Sequence, residues 1–137
     1  MLFRSPVAAT APSGLAQVPL MVASATGTHR FTVEVAATPT QQEYGLMNRQ
    51  SLAPDHGMIF PFAQPTNATF WMKDTLIPLD LIFVRGDGTI ANIAVNAQPM
   101  NLSLIPSAGP VTAVLELAGG RTGELGIRAG DRVSWPH

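Results

Sequence analysis

Between residues 29 and 36 every second position is apolar. Phe31, Val33 and Val35 alternate with Thr32 and Glu34, the period of a strand with one buried face. The preceding residues 18–24 are apolar and β-prone, and Ala25-Thr26-Gly27-Thr28 reads as a turn, so the two segments predict a hairpin. The alternation then stops at a helix start. Thr38 is an N-cap, Pro39 sits at the first helical position where its missing N–H costs nothing, and Gln41 occupies the capping-box position. A short helix to about residue 47 is expected, despite Gly45, followed by a loop over 48–56 and a turn at Pro54-Asp55-His56-Gly57.

Further along, the pattern becomes nearly continuous apolar runs. Strands are expected over 58–60, 68–72 and 79–84, with Arg85-Gly86-Asp87-Gly88 turning the chain into an antiparallel strand over 89–95. Residues 98–110 hold three prolines and read as an irregular connection. The run over 111–117 predicts a strand buried on both faces, since Val114, Leu115 and Leu117 leave little room for a wet one. A glycine-rich turn from residue 118, at most two helical turns, and a last strand reaching Val133 complete the chain. Many strands, short turns and one or two short helices predict an α+β fold, β-rich, with a small barrel-like antiparallel sheet. One domain is expected over 18–137, preceded by a flexible Ala-, Pro-, Ser- and Thr-rich leader over 1–17 that lacks the apolar core of a secretory signal.

Composition narrows the function classes. The 137 residues suffice for one core without metal or disulfide staples. A net charge of −1 with no basic stripe argues against nucleic acid as a partner, and no apolar run approaches the length of a transmembrane segment. The absence of cysteine removes thiol nucleophiles and zinc–thiolate sites. No serine lies in a nucleophile-elbow context, and Gly119-Gly120-Arg121-Thr122-Gly123 matches neither a P-loop nor a dinucleotide fingerprint.

Six motifs occur in order: Tyr44-Gly45-Leu46-Met47-Asn48-Arg49, Gly57-Met58-Ile59-Phe60, Phe70-Trp71-Met72-Lys73-Asp74-Thr75, Ile77-Pro78-Leu79-Asp80, Val114-Leu115-Glu116-Leu117 and Gly130-Asp131-Arg132-Val133. Together they resemble the DUF192 family, also called UPF0127, over residues 18–133. The resemblance implies a compact β-barrel-like α+β fold and, for bacterial members, an exported, periplasmic or membrane-associated protein. It implies no reaction. One departure is Asp74, where the family usually has Asn.

The candidate site residues are Arg49, Met58, Trp71, Lys73, Asp80 and Glu116. Strand alternation puts Trp71 and Lys73 on one face, opposite Phe70, Met72 and Asp74. Lys73 is the sole lysine. It has two readings: an anion-binding or basic group in a pocket, or a structural ion pair with Asp80 or Glu116. Asp80, at a strand start, either accepts loop N–H groups or lines a cleft. Glu116, inside an apolar strand, needs a partner (Arg49, Lys73 or Arg121) or a raised pKa. Met47, Met58 and Met72 read as core, with Cu(I) binding helped by His29 or His56 a lesser alternative. No cofactor or metal is expected. The leading expectation is an exported, periplasmic or extracellular binding module. Its polar cleft would hold a small anionic or hydroxylated ligand, or an envelope protein. The alternatives are an envelope hydrolase using Glu116 or Asp80 as general base, and a structural accessory protein with no pocket.

Overall fold

The computed structural model describes residues 9–137. Of the expected leader, residues 1–8 lie outside the described residues. Residues 9–17 carry β1 (Ala9–Thr10) and the start of β2 (Ala16–Ser24), with Ala9 and Thr10 paired antiparallel to Gln17 and Ala16. The predicted hairpin follows: β2 pairs with β3 (Gly27–Val35) from Gln17↔Glu34 to Ser24↔Gly27, leaving Ala25 and Thr26 as the turn.

Helix α1 (Pro39–Tyr44) begins with the predicted capping box. Thr38 Oγ1 accepts the Gln41 N–H at 3.2 Å, and Gln41 Oε1 accepts the Thr38 N–H at 3.1 Å. It stops at Tyr44 because Gly45 adopts φ +51°, outside the helical region.

The loop after α1 returns the chain to the end at which β3 began, so β4 (His56–Thr66) runs parallel to β3, from Thr32↔His56 to Val35↔Ile59. This pairing is the one departure from the expected antiparallel sheet, all other named pairings being antiparallel. Two strands separated by a helix pair in parallel when the connection crosses over.

The remaining elements are β5 (Thr69–Phe70), β6 (Leu79–Val84), β7 (Ile90–Ala97), β8 (Ile105–Pro106), β9 (Val111–Ala118), α2 (Arg121–Leu125) and β10 (Arg132–Ser134). The main sheet has the order β1-β2-β3-β4-β9-β6-β7, with β10 on β2, while β5 and β8 form a separate pair. The strand expected over 68–72 contracts to β5 because the following backbone binds a loop, Met72 N–H donating to Asn101 O at 2.9 Å. The sheet curls until its ends meet: Arg132 bridges Thr89, and Val133 N–H donates to Gly88 O at 2.8 Å. The result is a β-rich α+β domain with a barrel-like sheet and two short helices. Among the described residues, no helix is long and apolar enough to cross a membrane.

Strands β4, β9 and β6 lie side by side at the centre, and all six residues of β6 are buried. Alternation sorts their side chains onto two faces. On one, Ile59 and Ile82 flank Leu115, joining Val22, Val33 and Leu117 in the first apolar cluster. On the other, Phe60 and Phe83 flank Val114, and Met58 and Leu81 flank Glu116. Glycine at position 57 lets β4 approach β9. A Cβ there would overlap the Glu116 carbonyl oxygen and stand 2.8 Å from Leu117 Cδ2. Gly57→Ala is therefore expected to destabilise the domain by about 2–3 kcal/mol, read as a lowered Tm in a thermal melt. An unchanged Tm would mean that the β4–β9 pairing yields without cost.

Candidate functional site

The face that carries Glu116 opens into a cavity of about 370 Å³ between α1, the end of β4 and the segment through β5. Its floor includes the buried Leu46, Phe60, Ala68, Thr75 and Glu116, and its rim carries the exposed Tyr44, Trp71 and Lys73. Phe62 and Phe70 complete an aromatic wall. Phe70 meets Phe60 edge to face, with ring centroids 5.1 Å apart, and Phe83 behind it at 6.3 Å. Such T-shaped pairs fix ring orientation. At the rim, Lys73 Nζ stands 5.4 Å from the Trp71 ring centroid, within cation–π range.

Glu116 is 5% exposed, and among the described residues its carboxyl has neither a hydrogen-bond nor an ion-pair partner. The cations that sequence reasoning offered it are placed elsewhere. Arg49 grips Glu34 with both terminal nitrogens, at 2.9 and 2.8 Å. Arg121 donates to Pro54 O at 3.0 Å and lies 3.7 Å from Glu124. Lys73 makes no ion pair among the described residues, with Asp80 or with Glu116. Burial without a compensating donor pushes the Glu116 carboxyl up to about 8.

Asp80 has the opposite environment. It is fully buried and outside the cavity, and both carboxylate oxygens are occupied. Oδ1 accepts the Asn96 N–H at 2.7 Å and the Gly120 N–H at 2.9 Å. Oδ2 accepts the Thr122 N–H at 2.9 Å and its hydroxyl at 2.6 Å. Gly120, the N-cap of α2, has no side chain to cap the helix, and Asp80 does so from a distant strand. Asp80 is thus the acceptor of loop N–H groups, and its lone pairs are unavailable to a substrate.

Glu34 and Arg49 form a second closed unit. Burial raises the Glu34 carboxyl, but the hydrogen bonds from Arg49 and Ser13 outweigh it and leave the group below its ordinary range. The same bond raises Arg49. Met58 is fully buried beneath the cavity and, with Met72, packs in the second apolar cluster, the core role expected of them. Among the described residues, no group of three or more His, Asp or Glu could hold a metal ion.

Of the six predicted site residues, the cavity therefore gathers Trp71, Lys73 and Glu116. Arg49 and Asp80 serve other contacts, and Met58 lies behind the wall. Sequence reasoning missed Phe60, Phe62, Tyr44 and Thr75 as lining residues. The aromatic clustering over residues 60–71 was the available signal, and only tertiary folding brings it against α1. Asp74, the departure from the family pattern, adopts φ +53° and its carbonyl accepts the Asn48 N–H at 2.8 Å. Asn and Asp both tolerate that conformation, so either residue serves the turn. A second hollow of about 600 Å³, by Leu20, Phe31 and Trp135, holds only exposed charged groups, Arg30 and Asp55.

Fold and cavity together define a small β-rich α+β domain with a curled sheet and an aromatic-walled cleft on one face. The family model DUF192, described as "Uncharacterized ACR", matches residues 21–135, and the chain belongs to that family. Two solved structures are similar throughout. A protein of unknown function from Novosphingobium aromaticivorans DSM 12444 is 48% identical, with a TM-score of 0.92 over 93% of this chain and 92% of that one. A candidate transcription regulator from Sinorhizobium meliloti 1021 is 44% identical, with a TM-score of 0.86 over 88% and 95%. Among curated proteins nothing matches.

Proposed function

We propose that this protein is a binding module whose ligand is a small molecule seated in the aromatic-walled cavity, with a polar group against Glu116. One observation carries the reading: a buried carboxyl without a protein partner faces a hollow of small-molecule size. A fold maintained for its own stability would pair such a group or replace it. Trp71 and Lys73 at the rim supply an amphipathic lip and a cation for the outer end of the ligand.

The hydrolase alternative loses Asp80 as a base, because its four donors occupy both oxygens. The lining also contains no serine or histidine to act with Glu116. One neighbour is called a candidate transcription regulator. The net charge of −1 in the present chain gives no electrostatic footprint for a duplex, which favours the small-ligand reading. Export to the envelope remains part of the proposal and is supported by the family resemblance.

A fragment screen followed by two-dimensional NMR tests the reading. Saturable shifts are expected to cluster at Phe60, Ala68, Phe70 and Glu116. Shifts confined to the hollow at Trp135, or no saturable binder at all, would overturn it.

A further inference from the structure

Building on that reading, we infer that the cavity selects a protonated amine carried on an apolar body, with its N–H groups bound to the Glu116 carboxylate and its charge set among the aromatic rings. The immediate surroundings of Glu116 are apolar. Glu116 sits on β9 between Met58 of β4 and Leu81 of β6, neighbours that offer no hydrogen-bond donor beyond backbone already used in the sheet. The polar side chains elsewhere in the lining are not bonded to the carboxyl, and the buried Thr75 hydroxyl donates instead to Lys73 O at 3.1 Å, which leaves Glu116 open to a donor brought by the ligand.

An anionic ligand would meet a second negative charge or a neutral acid, with no gain from either. A hydroxylated ligand would make a hydrogen bond, but its neutral head would draw no cation–π attraction from the rings. An ammonium group uses both features. It forms a charge-assisted hydrogen bond to the carboxylate, and it gains cation–π attraction from Phe60, Phe62 and Phe70, which is strongest where water is excluded. The sequence-based expectation of an anionic ligand also relied on Arg49, and Glu34 holds that side chain outside the cavity. The other titratable groups facing the cavity are Glu43 and Tyr44 of α1 and Lys73 after β5. Glu43 and Tyr44 are exposed at the mouth, where water screens them. Lys73 repels a cation placed near Trp71, which favours seating the ammonium at the Glu116 end.

Amine binding also moves a proton. In the free protein at pH 7 the Glu116 carboxyl is mostly protonated. The incoming ammonium stabilises the carboxylate, so binding releases on the order of one proton to solvent and strengthens as pH rises towards 8.

The test uses benzylammonium, benzyl alcohol and benzoate as matched probes of the wild-type chain and Glu116→Gln. Calorimetry in phosphate and in Tris at pH 7 would read the proton. Benzylammonium is expected to bind wild type at least tenfold more tightly than benzyl alcohol, with benzoate weakest. Its heat should differ between the two buffers as proton release requires. Glu116→Gln should cost benzylammonium tenfold or more and leave benzyl alcohol nearly unchanged. Benzyl alcohol or benzoate binding in the cavity as tightly as benzylammonium would overturn the amine inference and leave the cavity reading standing. Equal heats in the two buffers would also overturn it. If no probe and no fragment binds, both fall. Circular dichroism of Glu116→Gln separates lost binding from lost fold.

Discussion

Raising the pH from about 4.5 to about 8 is expected to strip stability from the wild-type protein continuously, and Glu116→Gln is expected to flatten most of that slope. In the unfolded chain the Glu116 carboxyl ionises at the ordinary value of 4.5; in the folded chain burial holds the proton until about 8. Over that interval the native state binds more protons than the unfolded state, so stability falls as pH rises. At 1.36 kcal/mol per pH unit, the loss is about 3 kcal/mol by pH 7 and about 4 kcal/mol by pH 8. Glu34, whose carboxyl is held below its ordinary range, acts with the opposite sign, stabilising the protein above its unfolded pKa and losing that contribution as pH falls into the acid range. The two windows are therefore separable. Urea denaturation at half-unit pH steps reads the slope directly. A wild-type profile as flat as that of Glu116→Gln between pH 5 and 8 would show that the carboxyl is solvated.

Asp80→Ala should have an effect of comparable size and a different origin. Removing the carboxylate orphans the N–H groups of Asn96, Gly120 and Thr122 and the Thr122 hydroxyl. Each buried donor left without an acceptor costs about 1–3 kcal/mol, and even partial rescue by water leaves a loss of about 3–5 kcal/mol. Against a typical total of about 5–15 kcal/mol, that is enough to populate the unfolded state measurably at 37 °C. Asp80→Asn should cost less, because its carbonyl oxygen keeps one pair of acceptor positions while its NH₂ opposes the remaining donors. The midpoint of chemical denaturation checks both variants. If Asp80→Ala kept the wild-type midpoint, the tie between β6, the end of β7 and α2 would be incidental. If it lost ligand binding while retaining full stability, Asp80 would belong to the site after all.

These two carboxylates show how far the sequence could be read. Both are acidic residues beside or within apolar strands, and the alternation of β9 places Glu116 on the face opposite Leu115 and Leu117. Local chemistry sufficed where the partner is near in sequence: Thr38 and Gln41 announce the start of α1 because a capping box closes within four residues. It failed where the partner is distant. Asp80 meets Thr122 across 42 positions, and nothing in either neighbourhood encodes that meeting. Arg49 was assigned to the site because its carboxylate partner lies on β3, which reaches it only through the parallel β3–β4 pairing. That pairing had a visible signal in the helix between two strands, but the short turns elsewhere in the chain favoured an antiparallel reading. The isolation of Glu116 was the least legible feature. It follows from β4 and β6 presenting Met58 and Leu81 on either side of it, a consequence of strand order. The two motifs between Phe70 and Asp80 divide between these roles: Trp71 and Lys73 reach the rim, Met72 enters the core, and Asp80 ties the far end of the sheet.

Everything proposed for the cavity turns on Glu116 being a buried carboxyl, without a protein partner among the described residues, that faces a ligand site. Carbon-13 NMR titration of its side-chain carboxyl, in the free protein and with saturating benzylammonium, tests it most directly. The free protein is expected to titrate at about 8, and benzylammonium is expected to move the midpoint down by at least one unit, a tenfold linkage. A midpoint near 4.5 that benzylammonium leaves unmoved would contradict the claim.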